Sequence, residues 1–210
     1  PFLDFENEVE AKILTNITIN QIVPFLEYSL RDINIKYTIS IGNYNNIVQD
    51  SIHTKNKIVY IFWELSNIIE EGYYEIENLD KNELNKIIDK VKLEISIVIN
   101  NLNSSSLILF NKFSSLIFNS KLLKNNNLDI LRKELNIYLN EISNENLFLI
   151  EIDKVISNIS VNNSSDLRMY YSSRILYTDK FYDEYSTFTK PIITELLGKS
   201  KKALILDCDN

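Results

Sequence analysis

The sequence predicts an α/β three-layer sandwich built on a five-stranded, mostly parallel sheet. Two observations carry this. Five short apolar segments alternate with amphipathic segments, the signature of repeated strand–helix–strand units. The segments at 57–63 and 106–110 are apolar throughout after their first residue, as strands covered on both faces must be.

Each element has its own warrant. Residues 1–10 are acidic and show no period, so they read as a tail or linker. Residues 11–15 form a short apolar strand. Ile19, Ile22, Val23, Leu26 and Leu30 recur at helical spacing, with Asn16 or Thr18 as N-cap. Residues 35–41 alternate with period two, a strand, and 42–46 is a polar loop. After the third strand at 57–63, Leu84, Ile88, Val91, Ile95, Val98 and Leu102 mark the clearest helix. The fourth strand is 106–110. Asn125, Asn126 and Asn127 supply a cap for a helix carrying Leu128, Leu131, Leu135 and Ile142. The fifth strand is 147–152, and 160–166 is a polar loop. A helix is predicted over 183–197, kinked or split near Lys190 by Pro191, with Gly198 as its C-cap.

Composition narrows the function. The 210 residues are 45% hydrophobic, enough for one sizeable core. A net charge of -7 argues against a nucleic-acid surface. No apolar run reaches the roughly 20 residues of a membrane span, and no basic, apolar leader opens the chain, so a cytoplasmic protein is expected. Only three glycines occur, Gly42, Gly72 and Gly198, far apart. That excludes both a dinucleotide-binding glycine turn and a phosphate-binding loop. One histidine, His53, and one cysteine, Cys208, exclude a His/Cys metal cluster. His53 reads as a residue without a catalytic role. Cys208 sits between two aspartates, which raise a thiol pKa, so it reads as a packing residue.

Ligands of open α/β sheets sit beyond the carboxyl ends of the strands. The predicted pocket there is Asn16, Gly42, Asn43, Glu64, Asn111 and Asp166, converging at one end of the sheet. The last apolar segment, 203–206, runs into Asp207 and Asp209. Side chains two apart on a strand share a face, so the pair suits a Mg2+ site with a carboxylate nucleophile. Taken alone, two such aspartates also fit a solvated turn. With Pro1 in place of an initiating Met and a strand beginning at 203, the chain is expected to be the front part of a larger protein. Its divisions are a tail (1–10), an α/β domain (11–198), and a linker with the first strand of a second domain (199–210).

The run from Leu196 to Asn210, LLGKSKKALILDCDN, resembles the entry to the haloacid-dehalogenase-like (HAD) domain of FkbH-like proteins, whose pattern is a Lys-rich linker, an apolar strand and D-x-D-N-T-L-W. The front resembles the same family's N-terminal domain. Lys12, Ile13, Leu14, Thr15, Asn16, Ile17 and Thr18 are similar to its first strand and turn. Gly42 to Gln49 and Asp166 to Tyr171 are similar to two later segments. The likeness covers most of 11–210 and is most specific at the C-terminal motif. It implies an SGNH-hydrolase-like, flavodoxin-like domain. It also implies departures. Thr15 and Asn16 stand where those hydrolases have a serine, and Met169 stands where Asp166 would have a histidine partner, so esterase chemistry is not expected. For the intact protein it implies Asp207 as nucleophile and Mg2+ ligand and Asp209 as general acid/base with a share in the metal. The partners implied are the protein's own HAD domain and an acyl carrier protein that receives a glyceryl unit in polyketide or polysaccharide assembly. The alternative is a free-standing flavodoxin-like binding module without enzymatic activity.

Overall fold

A computed structural model describes residues 7–69, 72–118 and 126–199. Five strands, β1 (Asn7–Thr15), β2 (Ile35–Ile41), β3 (Ile58–Phe62), β4 (Leu107–Asn111) and β5 (Leu147–Ile150), form one sheet in the order β2-β1-β3-β4-β5, parallel at every pairing. The helices are α1 (Val23–Ser29), α2 (Ile47–His53), α3 (Lys81–Asn101), α4 (Asn127–Glu141), α5 (Ile152–Ile159), α6 (Val161–Ser164), α7 (Leu167–Ser173) and α8 (Asp179–Leu196). α1 and α5 pack on α8, while α3 packs on both α2 and α4. These two helical layers sandwich the sheet, and the core lies between them. Every residue of β3 and β4 is buried, as their unbroken apolar sequence requires.

β1 starts at Asn7, inside the predicted tail. The acidic residues hid it. Glu8 faces solvent and pairs with Lys36 of β2 at 2.7 Å, while Val9 between Glu8 and Glu10 is buried. β2 is an edge strand, and the α1 residue Glu27 covers it: its Oε1 accepts the Ile39 N–H at 3.1 Å. That blunts an edge otherwise open to pairing.

Three helix ends show the local chemistry. α3 begins with a capping box: Asp80 Oδ1 accepts from Asn82 N and Glu83 N, and Glu83 Oε2 accepts from Asp80 N. α4 differs from the sequence expectation. Asn126 adopts a left-handed backbone and makes no side-chain cap. The cap comes from Glu77, whose carboxylate accepts from Asn127 N at 2.8 Å and Leu128 N at 3.0 Å. Glu77→Ala is therefore expected to lose about 1–2 kcal/mol, read as a lower urea midpoint at unchanged slope.

α8 is one helix, not two, with Pro191 inside it. Pro191 and Thr187, whose carbonyl loses its N–H partner, are both exposed, so that carbonyl is open to water. The helix closes on Gly198 at φ 66°, with Gly198 N donating to Glu195 O and Lys199 N to Thr194 O. This is the Schellman pattern that a glycine favours. The segment 160–166, predicted as loop, contains α6. The predicted strand at 203–206, with Asp207, Cys208 and Asp209, lies outside the described residues.

Candidate functional site

The carboxyl ends of β1 and β3 meet where the chain order of the sheet reverses, the usual ligand crevice of this architecture. Asn16 stands there, immediately after β1, and is buried. Its side chain acts as an extra peptide group. Asn16 Nδ2 donates to Glu64 O at 2.9 Å, and Glu64 N donates to Asn16 Oδ1 at 2.7 Å. Nδ2 also reaches Asn67 O at 3.3 Å. Asn67 Nδ2 in turn donates to Asn16 O and to Tyr44 Oη. The hydroxyl of Thr15 is spent within the turn, on Ile17 N and O at 3.1 Å each.

The other predicted residues turn to partners of their own. Gly42 N continues the β1 ladder by donating to Ile13 O at 2.8 Å, and a Cβ on Gly42 would press on the Asp50 carboxylate. Asn43 gives that carboxylate both its N–H and its side-chain amide. Burial works to raise the Asp50 pKa, but these bonds and one from Asn46 hold it below its ordinary value. Asp166 caps α7 through Arg168 N and Met169 N and pairs with the Arg168 guanidinium at 3.2 Å; that pairing, chiefly, keeps its carboxyl low. Met169 is 42% exposed. So Asn16 and Glu64 are joined directly, Gly42 and Asn43 turn to Asp50, and Asp166 turns to Arg168.

Glu64 is the unusual group. Its carboxyl is buried and receives the Tyr177 hydroxyl at 2.7 Å. Burial pushes its pKa up to about 7; the Tyr177 bond opposes this and the nearby Asp153 charge adds to it. Asn111 is reached through Tyr185, whose hydroxyl donates to Asn111 Oδ1 at 2.7 Å.

Sequence reasoning missed the aromatic residues that close this end of the sheet. Tyr170, Tyr177, Phe181, Tyr182 and Tyr185 are all 3% exposed or less. Tyr177 stacks on Phe181 at 3.7 Å, and Tyr185 packs on Phe62 at 4.9 Å. Their spacing, 177–181–185, was the available signal, but Tyr177 and Phe181 lay before the predicted start of the helix at 183. His53 ends α2 and is exposed. The crevice thus presents a closed polar junction with no histidine, and its one candidate hydroxyl at the serine place is locked. Among the described residues no group of three or more His, Cys, Asp or Glu could hold a metal. Nor is any helix there long and apolar enough to cross a membrane.

No protein family and no curated protein matches the sequence. Solved structures do match the fold. The N-terminal part of a Bacteroides fragilis protein, containing a phosphatase domain and complexed with Mg, is similar with a TM-score of 0.75 and 18% identity; the match covers 97% of this chain. This chain spans only 56% of that one. A member of the lipolytic G-D-S-L family from Veillonella parvula matches with a TM-score of 0.54 and 9% identity, over 90% of this chain and 98% of its own. An acetylxylan esterase from Geobacillus stearothermophilus matches with a TM-score of 0.51 and 10% identity, over 90% and 94%. The chain has the SGNH-like α/β fold of the G-D-S-L hydrolases, in a form similar to the N-terminal part of a phosphatase-containing protein.

Proposed function

We propose that this chain is the non-hydrolytic, SGNH-like accessory domain of an FkbH-like cytoplasmic enzyme. The observation that carries the reading is Asn16 at the serine place, with both ends of its amide bound to the backbone of Glu64. Support comes also from the similarity to the Bacteroides fragilis protein, which has a phosphatase domain. The parent enzyme's chemistry belongs to the segment that Asp207 and Asp209 open, where bound Mg2+ would neutralise phosphate charge. We place the parent in the transfer of a glyceryl unit to an acyl carrier protein, for polyketide or polysaccharide assembly.

A second reading, a free-standing binding module, draws on one observation. An open groove of about 1040 Å³ runs between α1 and α8, lined by Tyr28, Arg31, Asp183 and Lys190 among others. One assay separates the two. The full gene product and the 210-residue chain are compared on p-nitrophenyl phosphate with Mg2+. The accessory-domain reading expects turnover by the full product, abolished by Asp207→Asn, and none by the shorter chain. Equal inactivity of both would favour the binding module.

A further inference from the structure

The groove between α1 and α8 has two unlike walls. α1 supplies an apolar one from Pro24, Phe25 and Tyr28, and the Tyr28 ring is 68% exposed. α8 supplies a polar one, from Asp183 through Thr187 to Lys190, residues that share one helix face. Arg31 and Asp32, just past α1, stand at the Lys190 end. The Arg31 guanidinium lies 5.1 Å over the Tyr28 ring and pairs with no carboxylate among the described residues. Lys190 is already taken, by Asp32 at 2.7 Å. Asp183, the acid of the polar wall, is two turns of α8 away from that end.

The cationic end of the groove adjoins the start of β1. Asn7 pairs with Ile35, three residues after Asp32, and neighbouring strands lie about 4.8 Å apart. Residues 1–6, Pro-Phe-Leu-Asp-Phe-Glu, lead into β1 at that point and lie outside the described residues. Continued as a strand, they would have no ladder to join. β2 begins at Ile35, behind Asn34 in a left-handed backbone at φ 57°, and β3 first meets β1 at Ala11. In extended backbone Leu3 and Phe5 share one side, and Asp4 and Glu6 the other. The groove offers an apolar half to the first pair and a cation to the second. Six extended residues reach about 20 Å, twice the roughly 10 Å of α8 between Asp183 and Lys190. That leaves length for the chain to turn at Asn7.

We propose that residues 1–6 dock in the α1–α8 groove, with Leu3 and Phe5 against Pro24, Phe25 and Tyr28 and with Glu6 at the Arg31 guanidinium. The groove so filled is closed to a free ligand unless that ligand displaces the segment.

Nuclear Overhauser contacts in the whole 210-residue chain test this. The expected result is a set of cross-peaks from the Leu3 and Phe5 side chains to the Tyr28 ring, unchanged on dilution. Arg31→Glu alters an exposed residue outside the core and should cost those cross-peaks most of their intensity, because it sets like charge against Glu6. Glu6→Arg added to Arg31→Glu should restore them. Four results would overturn the docking. One is the absence of any cross-peak from residues 2–6 to α1. Another is cross-peaks to Tyr28 from residues 200–210 in their place. The third is cross-peaks that vanish on dilution, which would assign the segment to a second copy. The last is an Arg31→Glu spectrum that matches wild type.

Discussion

Asn16→Ala is expected to lose about 1–3 kcal/mol of folding stability, one of the two largest effects foreseen for a single substitution here. The side chain gives Glu64 N an acceptor and Glu64 O a donor at the buried end of β3. Removing it strands Glu64 N, while Glu64 O keeps its 3.2 Å bond from Asn67 N; one buried unsatisfied group costs roughly 1–3 kcal/mol. Urea unfolding measures the loss as a lower midpoint. A change below about 1 kcal/mol would show that water takes over the amide's role. Asn16→Ser should be similarly destabilised and gain no turnover of p-nitrophenyl acetate, because the chain's one histidine ends α2 at the surface.

Tyr185→Ala is expected to lose about 3–5 kcal/mol, the range for deleting a large buried aromatic. The ring packs on Phe62 at 4.9 Å and on Phe181 at 5.8 Å, and its hydroxyl holds Asn111. Tyr185→Phe separates the contributions: it keeps the packing, leaves Asn111 Oδ1 short of its donor, and should lose only about 1–2 kcal/mol. Equal losses in the two variants, by thermal or urea unfolding, would mean that the hydroxyl and not the ring fills this end of the sheet.

The fold was legible because its strongest signals are local. β2 spans the predicted 35–41, and β3 and β4 lie within a residue or so of the predicted bounds, because a strand buried on both faces has no choice but to be apolar. α3 was legible from its repeat of buried positions. What escaped depends on distant partners. The start of β1 depends on its ladder with β2, from Asn7 opposite Ile35, with Glu8 and Lys36 paired across it. The cap of α4 comes from Glu77, 50 residues away. The run of α8 through Pro191 depends on that face meeting water.

The site divides in the same way. Asn16 and Glu64 were named from their places at strand ends, and the structure joins them. Their long-range ties could not be read: the Tyr177 hydroxyl that reaches Glu64 lies 113 positions away. Asp166 was placed by a motif, but its nearest cation, Arg168, is two residues along and takes it.

The proposal that this SGNH-like fold lacks hydrolytic chemistry rests on the hydrogen-bonded junction of Asn16 and Glu64. A fluorophosphonate probe, which forms a covalent adduct with an activated serine or threonine, tests it most directly. Intact-mass spectrometry after incubation should show the unmodified chain and no turnover of p-nitrophenyl acetate. A stoichiometric adduct on Thr15, or on any serine lining the crevice, would contradict the claim.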